Sequence, residues 1–213
     1  ISKQDNLEYI SGSSGIKISH DPIIVIKDTL GDAAESDIAT SKNDDADLCC
    51  DKIHIVYGDF NQNDAQPYKR YRVTYYAKPS GDNEYYAVYK SKQSWIQSSE
   101  SVTGNWSSSC AECFSGELIR DHLVDMEFIV FDQQGRIINP PPRPDTSSRE
   151  NLYNIKAVDI RLTFRSKNEF YRFNAKDDNP RFVKGLGERT RKFLDKYLRD
   201  SVVVTVNTRN IGS

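Results

Sequence analysis

The chain has 213 residues, 37% of them hydrophobic and 28% charged, and its 29 Lys and Arg against 31 Asp and Glu leave a net charge of −2. That length implies one large domain, or one domain with an appendage, with enough core to fold without obligatory disulfides or metals. The charge balance excludes a strongly basic nucleic-acid binder and an acidic disordered tail as readings of the whole chain. No apolar run approaches the ~20 residues of a membrane-spanning helix, and the polar start ISKQDNLEYI is not a signal peptide. With Ile at position 1, a trimmed product is expected, cut from a membrane anchor.

Residues 1–48 carry a charge of −6 and the remainder +4. The SGSSG run (Ser11 to Gly15) has linker composition. The first 48 residues are therefore expected as an acidic, loosely structured region, with a short helix from Ile23 to Leu30 and an acidic loop from Asp32 to Asp47. A β-rich domain is expected over 49–213. Lys52 to Tyr57 reads as a β-branched strand stopped by Gly58-Asp59. Tyr68 to Tyr76 and Glu84 to Tyr89 flank a turn at 79–83 and predict a hairpin. On its surface, Lys and Arg stems are expected to lie on Tyr rings. Such a surface suits sugars or nucleic acid, but a solvated face is the commoner outcome.

Residues 91–116, Ser-rich and holding Trp95 and Trp106, read as a long loop. Glu117 to Phe131 runs from a turn into a strand, and Asp132 to Gly135 is the next turn. The prolines of 136–150 impose an extended connection. Asn154 to Arg165 alternates most clearly, with Val158, Ile160, Leu162 and Phe164 on one side. Glu169 to Phe173 is a shorter candidate. Glu188 to Arg199 has Phe193, Leu194, Tyr197 and Leu198 at helical spacing and predicts an amphipathic helix. Ser201 to Asn207 ends the pattern as a strand whose β-branched run suits a buried position.

The residues that bear chemistry are few. Cys49-Cys50 and Cys110-x-x-Cys113 supply too few well-placed ligands for zinc. A thioredoxin motif needs a βαβ setting that the Ser-rich loop lacks. Disulfides in an oxidising compartment are preferred, with cross-pairing of the two clusters favoured over a local Cys110–Cys113 bridge or free thiols. His20, His54 and His122 have no triad or zincin pattern around them, so no catalytic residue and no enzyme activity is assigned. Gly185-Leu-Gly187 reads as a turn rather than a phosphate loop, and neither Asp44, Asp45 and Asp47 nor Asp177 and Asp178 have EF-hand spacing. No metal, cofactor or small-molecule substrate is expected. Arg189, Arg191, Lys192, Lys196 and Arg199 fall in a stretch of local charge +5 and are the candidates for binding a partner's acidic face, no nucleic acid being expected.

Four segments together carry a resemblance. Asp51, Ile53, Ile55 and Tyr57 match a D-x-I-x-I-x-Y strand. Leu118, Ile119, His122, Phe128, Asp132 and Gly135 match a mid-chain segment. Ile155, Val158, Ile160, Leu162 and Arg165 match a following strand, and Val206, Arg209 and Asn210 the end. In this order the chain resembles the periplasmic part of large minor pilins of type IV pili, the PilW-like class, and is similar to the minor pseudopilin J of type II secretion. The resemblance covers about residues 49–213. It implies an α+β, mostly antiparallel head domain without its N-terminal membrane and filament helix. It further implies an exported structural or assembly subunit, at the periplasmic face of the inner membrane and the pilus tip. Its expected partners are other minor pilins or pseudopilins, and the inner membrane through the missing helix. A secreted β-rich binding module, adhesin or lectin-like, using Trp95, Trp106 and the Tyr-rich hairpin, is the alternative.

Overall fold

The computed structural model describes residues 8–10, 17–19, 21–27, 49–60, 62–63, 68–80, 85–97, 104–139, 141, 149–170, 181–186 and 190–208. In chain order the strands are β1 (Glu8–Ile10), β2 (Lys17–Ser19), β3 (Ile23–Ile26), β4 (Lys52–Phe60), β5 (Tyr68–Ser80), β6 (Tyr85–Gln97), β7 (Gly104–Ser107), β8 (Phe114–Phe131), β9 (Ala157–Arg165), β10 (Arg181–Lys184), β11 (Thr190–Phe193) and β12 (Arg199–Asn207). The helical content of the described residues is one 3-10 segment, Arg149–Asn154. The expected α+β class is thereby corrected to all-β.

One antiparallel sheet runs in the order β12-β9-β8-β6-β5-β4-β3, with β7 paired to the end of β6. Two small antiparallel ribbons, β1-β2 and β10-β11, stand apart from it. The period-2 pattern decides which side is buried. Ile53, Ala77, Val88, Met126, Phe128, Val130 and Val158 share one core with Leu152 of the 3-10 segment and Ile155 just after it. Ile55, Tyr75, Ile160, Leu162 and Phe164 pack at its margin. Burial of such a side chain stabilises by roughly 1.5–3 kcal/mol each, which suits a sheet whose core lies on one face.

β8 is 18 residues long and changes neighbour at Leu123, pairing with β6 before it and with β9 after it. β6 leaves it at Leu123, while β9 continues to Phe131. The segment before β4 then meets β8: Asp51 N donates to Met126 O at 2.8 Å. The sheet thus curls until its β4 end touches its β8 strand. Two left-handed residues, Gly116 at φ 81° and His122 at φ 62°, and several register shifts against β6 bend β8 along the way.

Several expected elements differ. Ile23 to Ile26 is a buried strand paired to β4, not the start of a helix. Four β-branched residues after Pro22 favour extended backbone, and both faces find cover. Residues 91–116 are not one long loop, because β6 continues to Gln97 and β7 follows. Of the helix expected at 188–199, the described residues 190–199 form strand β11, a bend and the start of β12. Its apolar stripe has no core to meet: Leu194 and Leu198 are exposed. Asp195 instead accepts a hydrogen bond from Tyr197 N at 3.1 Å, closing a local turn that competes with a helix. Ser166 to Phe170 forms no strand, and residues 171–173 lie outside the described residues, as does the acidic stretch from Asp32 to Asp47.

Candidate functional site

The cysteines pair within their clusters. Cys110 and Cys113 are bridged with Cα atoms 4.9 Å apart, and Cys49 is bonded to Cys50. The favoured cross-pairing is corrected: Cys49 and Cys50 are wholly buried in the core, whereas the Cys110–Cys113 turn lies at the surface, where Cys113 N donates to Cys110 O at 3.0 Å. Among the described residues, Cys49, Cys50 and Asp125 form a group with ligand atoms within 4.8 Å of one another. With both sulfurs bonded to each other, only the Asp125 carboxylate retains donor capacity, too few ligands for a metal centre.

Two of the residues that carry the resemblance, Asp51 and Phe128, meet where the start of β4 approaches β8. Asp51 is wholly buried, and its Oδ2 accepts from Lys27 Nζ at 2.7 Å and from Phe128 N at 2.9 Å. Lys27 Nζ also donates to Phe128 O at 2.5 Å. A buried carboxylate is tolerable only when paired and hydrogen-bonded, and here both conditions hold. Asp132 closes the turn after β8, accepting from Gln134 N and Arg136 N at 2.9 Å and from Arg136 Nε at 2.8 Å. Those bonds, the Arg136 backbone first, hold its carboxyl below the ordinary carboxylate value. Gly135 takes φ 75° in that turn, which glycine adopts without strain.

On the face opposite the core, β4, β5 and β6 align His54, Thr74 and Ser91 in one cross-strand row. All three are buried, and His54 Nδ1 lies 2.7 Å from Thr74 Oγ1. Burial, with Arg72 and Lys52 nearby, pushes the His54 pKa well below 6.5. In the next row Arg72 donates from Nε and Nη2 to Gln93 Oε1 at 3.2 and 2.9 Å, and its guanidinium lies 5.0 Å from the Trp106 ring. A neutral His beside a hydroxyl has the outline of a base and nucleophile, but the row is closed to solvent. It is packing, as expected for a histidine in a strand.

The expected stacking of basic stems on aromatic rings is extensive. On the hairpin strands Lys92 stands 4.3 Å from the Tyr71 ring, Lys78 5.6 Å from Tyr76 and Lys90 5.8 Å from Tyr75, and off them Arg165 lies 4.1 Å from Tyr197. At the far end of β5 and β6, a groove of about 270 Å³ runs between Tyr68, Tyr71 and Ile96 and the Cys110–Cys113 turn. Lys92 Nζ bonds Glu112 at 2.9 Å on its border, which raises the lysine pKa. Trp95 and Trp106 meet edge to face at 5.2 Å. They pack on each other rather than offering two open faces to a sugar.

The five partner-binding candidates do not form one helical face. Lys192 is exposed on β11, and Lys196 pairs with Glu169 at 3.6 Å. Arg199 folds onto Asp195 and onto the Phe193 ring, 3.7 Å away. Arg189 lies outside the described residues, as does the Arg191 side chain. His20 is outside them as well, while His122 stacks on Tyr85 at 4.4 Å. Sequence reasoning missed the Asp51 anchor and the buried polar rows. An Asp two residues before a β-branched run was the available signal for the first.

No protein-family model matches the chain, and no curated protein matches it. Among solved structures the chain is similar to a type IV-like pilin from Thermus thermophilus, at 12% identity and a TM-score of 0.41, over 77% of this chain and 81% of that one.

Proposed function

We propose that the chain is the exported head of a minor pilin that joins other pilins or pseudopilins in a tip or initiation complex. The observation that supports this reading is the bond between two parts of the motif pattern. Asp51 opens the first matching element and Phe128 belongs to the second, and Phe128 N donates to Asp51 Oδ2 across 77 residues. Two of the residues that carry the resemblance therefore share one structural task, the closure of the curled sheet. Function by docking suits a chain whose polar clusters are packing. Partner contacts are assigned to the basic stretch of Arg191 and Lys192, with Lys192 exposed.

The test is genetic and biochemical. Deleting the gene in its own host is expected to reduce pilus number, and the purified chain is expected to bind partner pilins. Arg191→Glu with Lys192→Glu is expected to keep the fold and weaken that binding roughly tenfold, as rim charges contribute only ~0–1 kcal/mol each. Unchanged piliation, with an ordinary cleavable signal peptide encoded upstream, would instead favour the binding module and its groove beside Tyr68 and Tyr71.

A further inference from the structure

Among the described residues β12 is the last strand of the sheet and pairs with β9 alone. It runs nine residues in unbroken register, from Arg199 opposite Arg165 to Asn207 opposite Ala157. Val202, Val203, Val204 and Val206 are 45–52% exposed along it. Natural sheet edges are ordinarily protected by a Lys, a Pro, a bulge, short length or a covering segment. β12 has no Lys, no Pro and no bulge, and from Ser201 to Asn207 it has no charge. Its one cation, Arg199, is held by Asp195 at the strand's start. An uncharged, straight, valine-rich edge is shaped to accept another strand.

The strand's own sequence says which strand fits. If two copies of β12 run antiparallel about an axis through Val204, Val204 meets Val204 and Val202 meets Val206. On the other face Val203 meets Thr205 and Ser201 meets Asn207. From Ser201 to Asn207 every pair matches in character and no charges oppose each other, while Arg199 falls opposite Arg209, beyond the end of β12. The apolar row also continues across the boundary. Val202, Val204 and Val206 are the partners of Leu162, Ile160 and Val158 on the core side of β9. Pairing of two edges would extend that row from one sheet into the next.

We propose that β12 is a homodimerisation edge, in which two copies of this chain pair antiparallel through Val204 to form one continuous sheet. The pairing is isologous, so it closes at two copies. It stands on strand geometry alone and does not depend on the pilus reading.

Sedimentation equilibrium of the full chain over a concentration series tests it. A monomer–dimer equilibrium is expected for the unmodified chain. Val204→Lys sets two like charges against each other on the axis, and the dissociation constant is expected to rise on the order of 100-fold with the far-UV circular dichroism unchanged. Val204→Cys is expected to cross-link two chains on mild oxidation, and Val203→Cys, which faces Thr205, much less. The cross-link comparison decides the matter even if the Lys variant fails to fold. A monomer at every concentration overturns the proposal. So does a dimer indifferent to Val204→Lys, equal cross-linking at the two positions, or a monomer that takes a different protein's strand on β12.

Discussion

His54 shows how a titratable side chain becomes a stability element. Its ring is buried beside Thr74, with Arg72 and Lys52 adding positive potential, so the folded chain holds it neutral well below pH 6.5. The unfolded chain takes up that proton at the ordinary value. Stability is therefore fully present above about pH 6.5 and falls as pH drops below it, by about 1.4 kcal/mol per pH unit while only the unfolded state is protonated. Asp132 and Asp195 are held below their ordinary carboxylate value of 3.8, so their contributions vanish only in stronger acid. Urea midpoints measured from pH 7.5 to 5 should fall for the native chain, and the slope should shrink by one proton in His54→Gln. Equal slopes in the two proteins would remove His54 from the account. That a strand histidine is packed was legible from its isolation in the sequence. Its polar row was not, because Thr74 and Ser91 become its neighbours only through strand register.

The strands that were legible are those whose alternation coincides with one-sided burial. β9 reads correctly because Val158, Ile160, Leu162 and Phe164 all face the core or its margin. The stretch 188–199 misled because helical spacing of apolar residues predicts a helix only where a core receives the stripe, and none does here. The Ser-rich stretch reads as loop because β7 is a four-residue strand whose residues give no periodic signal. What holds β7 is the meeting of Trp95 with Trp106 over Gly104. A Cβ on Gly104 would lie 2.6 Å from both the Trp95 ring and Ile96 O, closer than packing allows. Gly104→Ala is thus expected to push β7 from β6 and to cost about 1–3 kcal/mol, the range for overpacking. Tryptophan emission should shift to the red while the far-UV spectrum keeps its sheet signature. An unchanged emission maximum and midpoint would show that β7 docks without this close contact.

Asp51 ties the open side of the curled sheet through its carboxylate and its backbone N, with Lys27 beside it. It connects the residue before β4 to Phe128 in β8 and to Lys27 just after β3. None of this follows from composition, since a carboxylate before a strand is ordinarily solvated. The same limit applies to β12, whose β-branched run reads alike whether a strand is buried or left open at an edge. Replacing Asp51 by Asn keeps the shape and removes the charge. The Lys27 ammonium, 30% exposed at its side chain, then loses its ion-pair partner but keeps the Phe128 carbonyl and some water. The expected cost is about 3 kcal/mol, at the low end for breaking a buried pair. Lys27→Met is expected to destabilise too, by leaving the Asp51 charge buried without its cation. If the two groups act as one tie, Asp51→Asn combined with Lys27→Met should cost clearly less than the two single changes added together. Urea denaturation of the four proteins at pH 7 measures this. Strict additivity would mean that the sheet closes through its backbone bonds alone, with the Asp51–Lys27 pair contributing nothing of its own.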